Sequence, residues 1–98
     1  MNVTKEKNNT TLKLSIEGRI DTTTAPVLEE EIKQSVSDVS ELVMDFEKVE
    51  YISSAGLRVL LSTQKVMNKQ GAMNLINVSE EVKEVFDITG FSDILTIN

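Results

Sequence analysis

Apolar residues recur along the chain with two different periods, and the change from one period to the other predicts the secondary structure. Over residues 10–18 every second position is apolar, which is typical of a β-strand with one buried face. An edge strand begins near Val3, and Asn8-Asn9 is a turn signal that favours a hairpin between these two strands. Consecutive apolar residues over 41–46 predict a central strand covered on both faces, and residues 73–78 predict a further strand.

Three segments between and after these strands have the period of an amphipathic helix. Apolar residues at every fourth position predict a first helix over residues 24–37. A second helix is predicted over residues 54–69, with an inward stripe widened by Val66. Ser79 is expected to cap a third helix over residues 80–89, and the apolar residues after it to pack the C-terminus onto the domain, with a last short strand.

Strands and helices alternate from residue 10 onward, and this order predicts right-handed crossovers and a largely parallel sheet. The fold class is therefore α/β. The chain has 98 residues, of which 40% are hydrophobic, and contains no linker or repeat, so we expect one domain spanning residues 1–98.

Composition removes several classes of function. The formal charge of -6 argues against direct nucleic-acid binding, which requires clustered Lys and Arg. No apolar run approaches the ~20 residues of a membrane span, and the polar N-terminus is unlike a secretory signal, so a cytoplasmic location is expected. With no His and no Cys, the chain cannot form a Ser-His or Cys-His nucleophile or a zinc site built on those residues. We expect no metal, no cofactor and no enzymatic activity.

Two adjacent serines, Ser53 and Ser54, stand where an apolar segment becomes a helix. A helix N-terminus has unpaired amides and a partial positive charge, and it can hold a phosphate, including one on its own serine. The alternative is a plain N-cap, worth about 1 kcal/mol. A nucleotide-binding protein or enzyme is a further alternative, since both hydroxyls and nearby amides could hold a phosphate-containing ligand. Gly56 costs up to ~1 kcal/mol in a first helical turn, which indicates tight packing or a close approach.

A second candidate segment follows the strand over residues 10–18. It contains Asp21, Thr22, Thr23 and Thr24 and precedes the first helix. Loops at strand ends often carry contacts to partners. A capping turn explains the same residues, because Asp or Thr can cap a helix.

The residues around the two serines resemble the signature of the STAS domain family, the anti-sigma factor antagonists. In that signature an apolar strand ends in Asp, and a Ser-containing turn then runs into Gly-Leu and a helix. The matching residues are Met44-Asp45-Phe46, Val49, Tyr51-Ile52 and Ser53-Ser54-Ala55-Gly56-Leu57. The resemblance covers nearly the whole chain, through Gly18-Arg19-Ile20-Asp21 and Ile88-Thr89-Gly90-Phe91.

The resemblance implies a mixed, mostly parallel sheet of four to five strands with helices mainly on one side. It also implies a bacterial regulator of transcription that binds an anti-sigma factor serine kinase and so frees a sigma factor. The kinase phosphorylates a serine of the antagonist, binding is lost, and a serine phosphatase resets the switch. By motif register the phosphorylated residue is Ser54, two residues before Gly56. The preceding position, often Asp in the family, is Ser53, which is the alternative site.

The resemblance also implies a partner-binding surface and a protein that is monomeric when unbound. The residues assigned to this surface are Asp21, Thr22, Thr23, Thr24, Ser53, Ser54, Ala55, Gly56 and Arg58. Stand-alone STAS domains similar to this one also serve as subunits of lipid-transport ABC systems or of other phospho-relay complexes. In that alternative the chain is a protein-binding module without phosphorylation.

Overall fold

A four-stranded mixed sheet organises the molecule in the computed structural model, which describes residues 1–98. The strands are β1 (Asn2–Asn8), β2 (Thr11–Ile20), β3 (Glu41–Ile52) and β4 (Ala72–Ile76), and their spatial order is β1-β2-β3-β4. β1 and β2 form the predicted antiparallel hairpin, whereas β2–β3 and β3–β4 are parallel pairs. The mixed, mostly parallel α/β sheet is therefore confirmed.

Three helices connect or follow the strands: α1 (Ala25–Lys33), α2 (Ser54–Gln70) and α3 (Glu80–Thr89). The predicted extension of the first helix to residue 37 is wrong. Beyond Lys33 the amides bond carbonyls three or four residues back in a turn, while Val36 remains buried. The helical spacing of apolar residues thus continues past Lys33 because the turn packs on the core, although the turn itself is not helical. None of the helices is both long and apolar enough to cross a membrane.

The core lies on one face of the sheet, beneath the helices. Alternate positions of the two central strands are almost fully buried there: Leu12, Leu14, Ile16, Leu42, Met44 and Phe46. Leu28 of α1, Leu60 of α2 and Phe86 of α3 belong to the same hydrophobic cluster. Val43 and Asp45, on the opposite face of β3, are only half-buried. The prediction that this strand is covered on both faces is therefore wrong.

β3 is twice as long as predicted, because it continues past residue 46 to Ile52. The polar pair Glu47-Lys48 does not end the strand. Two register shifts against β2, between Ser15 and Glu17 and between Gly18 and Arg19, absorb the irregularity. The ladder then resumes and ends with Ile20 opposite Ile52. The two strands consequently finish side by side, and this common end carries the candidate site.

Two further differences concern the second half of the molecule. β4 ends at Ile76, two residues before the predicted end, because Asn77 adopts a left-handed conformation with φ 57°. Val66, predicted to face inward, is 43% exposed. The possible last strand exists as one parallel bridge between Leu75 and Ile97.

Candidate functional site

The candidate residues meet at one edge of the sheet because β2 and β3 are parallel and end together. Ile20 pairs with Ile52, and the Ser53 amide donates a 2.8 Å hydrogen bond to the Ile20 carbonyl. The loop after β2 and the start of α2 are therefore neighbours. We call the surface formed by residues 21–24 and 53–55 the loop–helix edge.

The loop half of this edge is a rigid capping turn. One carboxylate oxygen of Asp21 accepts hydrogen bonds from the amides of Thr23 and Thr24, both at 3.0 Å. The Thr24 hydroxyl accepts from the Asp21 amide at 2.8 Å and donates to the Arg19 carbonyl at 2.7 Å. The side chains of Thr22 and Thr23 are exposed and make no hydrogen bonds within the protein.

The same turn sets the ionisation of Asp21. The hydrogen bond from the Thr24 amide, aided by the Thr23 amide and by the Arg19 charge, holds the pKa of the Asp21 carboxyl below its usual value. The Asp21 carbonyl also accepts the first hydrogen bond of the α1 start, from Ala25 at 2.8 Å. Thr24, by contrast, has helical torsion angles and makes no side-chain cap. Of the predicted capping residues, Asp21 is the one that caps.

The helix half of the edge separates the two serines by role. Ser53 is extended, with φ -97° and ψ 176°, and its hydroxyl oxygen accepts the Gly56 amide at 3.5 Å. This arrangement makes Ser53 the N-cap of α2. Ser54 is the first helical residue, its side chain is exposed, and its hydroxyl makes no hydrogen bond within the protein. Of the two serines, only Ser54 presents a free hydroxyl to solvent.

Gly56 seats the first turn of α2 directly on the strand ends. A Cβ atom built at this position would lie 2.7 Å from Cγ2 of Ile20 and 2.7 Å from Cγ1 of Ile52. The tight packing predicted from the sequence is thereby confirmed. Gly56 is buried, so it shapes the loop–helix edge by letting α2 approach the strands.

Three further side chains lie near the serines. Arg58 is part of the predicted surface, whereas Arg19 and Tyr51 are not assigned to it by the sequence. Arg58 is exposed on α2, one turn after Ser54, and Ala55 is half-buried against the core. On the other sheet face, the Arg19 guanidinium carbon lies 4.3 Å from the centroid of the Tyr51 ring. These two residues are paired in the ladder between β2 and β3, although their separation in sequence conceals this.

No hollow of the molecule opens at the loop–helix edge. None of the hollows of the molecule is lined by Asp21, Ser53 or Ser54. No group of three or more Asp or Glu side chains is arranged to hold a metal ion. Small-molecule sites are typically concave and largely apolar. The geometry at these serines therefore favours a macromolecular partner over a small ligand.

Comparison with known proteins identifies the fold family. A model of the STAS domain matches residues 2–98. The chain belongs to the STAS domain family. This STAS protein is 36% identical over 99 residues to the anti-sigma-B factor antagonist of Bacillus subtilis (strain 168), and the alignment covers 100% of this chain and 91% of that protein. The family resemblance predicted from the sequence is confirmed.

Solved structures agree with this assignment. The crystal structure of an anti-sigma factor antagonist from Mycobacterium paratuberculosis superposes with a TM-score of 0.88 at 27% identity, covering 98% of this chain and 83% of that one. The Bacillus cell fate determinant SpoIIAA in its phosphorylated form superposes with a TM-score of 0.76 at 18% identity, covering 99% and 91%. At 18% identity, the similarity to SpoIIAA shows a shared fold.

Proposed function

We propose that this STAS protein is an anti-sigma factor antagonist that binds an anti-sigma factor with serine kinase activity, which frees a sigma factor. Phosphorylation of Ser54 ends the binding. One observation carries the proposal: Ser54 offers an exposed, unbonded hydroxyl at the start of α2, while the neighbouring Ser53 hydroxyl caps the helix. The name of the Bacillus subtilis relative, an anti-sigma-B factor antagonist, supports the general role.

The proposed contact surface is the loop–helix edge together with the exposed Arg58. The Ser53 amide is hydrogen-bonded to Ile20 at the end of β2, and the Thr23 and Thr24 amides are bonded to Asp21. The backbone of this surface is therefore ordered before binding, so little conformational entropy is lost when a partner binds. The unbound protein is proposed to be a cytoplasmic monomer.

In the proposed reaction this chain is the substrate of its partner. Oγ of Ser54 attacks the γ-phosphorus of ATP held by the kinase, the bond to the β–γ bridging oxygen breaks, and ADP leaves. The serine proton passes to a base of the kinase. A serine phosphatase resets the protein by hydrolysis, in which water replaces the serine oxygen on phosphorus and inorganic phosphate leaves. This chain contributes only the acceptor hydroxyl to either reaction and is not itself an enzyme.

The phosphate is compatible with the fold but unfavourable in the interface. At the first residue of α2 it lies next to free amides and the positive end of the helix dipole, which stabilises an anion by about 0.3–1 kcal/mol. In the interface, by contrast, the phosphate adds a charge of about -1.5 to -2 to a protein whose formal charge is already -6. An unpaired charge at a binding surface typically costs about 2–5 kcal/mol.

Phosphate mapping with matched serine variants tests the assignment. The wild-type protein, Ser54→Ala, Ser53→Ala and Ser62→Ala are incubated with the cognate kinase and ATP, and the sites are mapped by mass spectrometry. Ser62 is an exposed serine on the same helix and serves as the control. We expect labelling of every protein except Ser54→Ala. Full incorporation into Ser54→Ala would contradict the proposal, and label on Ser53 of the wild type would move the site by one residue.

A further inference from the structure

Arg58 is an exposed cation without an ion-pair partner, one helical turn after Ser54. Acidic residues outnumber basic ones by sixteen to ten in this chain, and half of the cations are engaged in ion pairs. The paired cations are Lys5, Lys7, Lys13, Arg19 and Lys33. Arg58 belongs to the unpaired half, and among the unpaired cations of α2 it is the one nearest to Ser54 in sequence.

The geometry of α2 directs Arg58 toward Ser54. Residues four apart on a helix lie on one face, with their Cβ atoms about 5–6 Å from each other. Side chains on a helix also lean toward its N-terminus, so Arg58 covers the turn that contains Ser54. An anion four residues before a cation is the favourable order of such a pair.

The other charged groups at this edge are already occupied. Arg19 stacks on Tyr51, and its Nε lies 3.9 Å from a carboxylate oxygen of Asp21. The Asp21 carboxylate in turn accepts the amides of Thr23 and Thr24. Arg58 is consequently the cation available to an anion on Ser54. A guanidinium binds a phosphate through two parallel N–H···O hydrogen bonds, a geometry that an ammonium cannot provide.

We propose that Arg58 pairs with the phosphate of phosphorylated Ser54 and thereby acts as a second element of the switch. In the unphosphorylated protein the guanidinium is free on the contact surface. After phosphorylation the side chain folds back along its own helix, so the partner meets an added anion and loses an available cation at once. This inference rests on the proposed function only for the choice of Ser54 as the modified residue.

A phosphorus NMR titration measures the pairing without the kinase. Phosphoserine is incorporated at position 54 during translation, and the second ionisation of the phosphate, normally near pH ~6, is followed. A nearby cation lowers this pKa. Replacing Arg58 by Gln should raise the phosphate pKa by about 0.15–0.4 unit, and Arg58→Lys should give an intermediate value.

Lys65 supplies the matched control. It is exposed on the same helix and unpaired, and it lies eleven residues from Ser54, about 16 Å along the axis. That distance exceeds the screening length of about 8 Å at physiological salt. Lys65→Gln therefore removes the same charge but should leave the phosphate pKa unchanged. Circular dichroism verifies that each variant is folded.

The outcomes separate this inference from the proposed function. An unchanged phosphate pKa in Arg58→Gln would overturn the pairing. An equal shift in Arg58→Gln and Lys65→Gln would overturn it too, because the phosphate would then respond only to the net charge of the protein. The titration measures the pairing whether or not a kinase modifies Ser54. Failure of the kinase to label Ser54 would contradict the proposed function instead.

Discussion

The backbone amide of Ser53 lies 2.8 Å from the carbonyl oxygen of Ile20, and the hydrogen bond between them joins the end of β2 to the start of α2. Because of this bond, the capping turn at Asp21 and the serine pair form one surface. Stability and switching are nevertheless assigned to different side chains on it. Ser53 holds the helix start, and Ser54 is free for modification.

Exchanging the two serines for alanine should separate these roles. Ser53→Ala removes the α2 cap and should cost about 0.5–1 kcal/mol, at the low end because the bond to the Gly56 amide is 3.5 Å long. In a domain of this size that corresponds to a fall of roughly 2–8 °C in melting temperature. Ser54→Ala should leave the melting temperature nearly unchanged. Thermal unfolding followed by circular dichroism measures both, and the reverse order would refute the assignment of the cap.

Gly56→Ala should destabilise the protein although alanine favours a helix. The added methyl group would lie 2.7 Å from side-chain atoms of both Ile20 and Ile52, and overpacking of this kind costs about 1–3 kcal/mol. The higher helix propensity of alanine offsets at most about 1 kcal/mol of this cost. Ser62→Ala, at an exposed position of the same helix, should match or slightly exceed the wild type. Denaturant unfolding gives the free energy of unfolding of the wild type, Gly56→Ala and Ser62→Ala. A Gly56→Ala variant as stable as Ser62→Ala would contradict the prediction, because Ile20 and Ile52 would then accommodate the methyl group without cost.

Asp21→Asn should change how stability depends on pH. The pKa of the Asp21 carboxyl is lowered in the folded protein, mainly by the hydrogen bond from the Thr24 amide. A group with a lowered folded pKa stabilises the protein above its unfolded pKa, and this contribution is lost as the pH falls through the folded value. The wild type should therefore be more stable than Asp21→Asn at pH 7, and the gap should close as the pH is lowered from 7 through the depressed folded pKa of Asp21. Melting temperatures across this range test it, and a gap independent of pH would show that the carboxylate charge plays no part.

Much of the fold is predictable from the sequence because local chemistry marks it. Ser79 caps α3 by accepting the Val82 amide, and Gly90 ends that helix in a left-handed conformation, φ 80°, that favours glycine. The end of the first helix is mispredicted because Val36 is buried in a turn with helix-like spacing. The length of β3 is mispredicted because the register with β2, two shifts included, is a non-local property.

The candidate site is predictable only where one segment contains it. Ser53, Ser54 and Gly56 lie within four residues of sequence, and their chemistry at a helix start is visible there. The stacking of Arg19 on Tyr51 depends on the alignment of two strands after the second register shift, which no local pattern reports. Likewise, the assignment of the cap to Ser53 and of the free hydroxyl to Ser54 requires the backbone torsions of the junction.

The most direct test of the switch is a calorimetric comparison of the plain and the Ser54-phosphorylated protein binding the cognate anti-sigma factor kinase, with melting curves of both. We expect phosphorylation to weaken binding by about 30- to several-thousand-fold, as a buried unpaired charge does. The melting temperature should stay level or rise slightly. Equal affinity of the two forms would place Ser54 outside the interface and contradict the account.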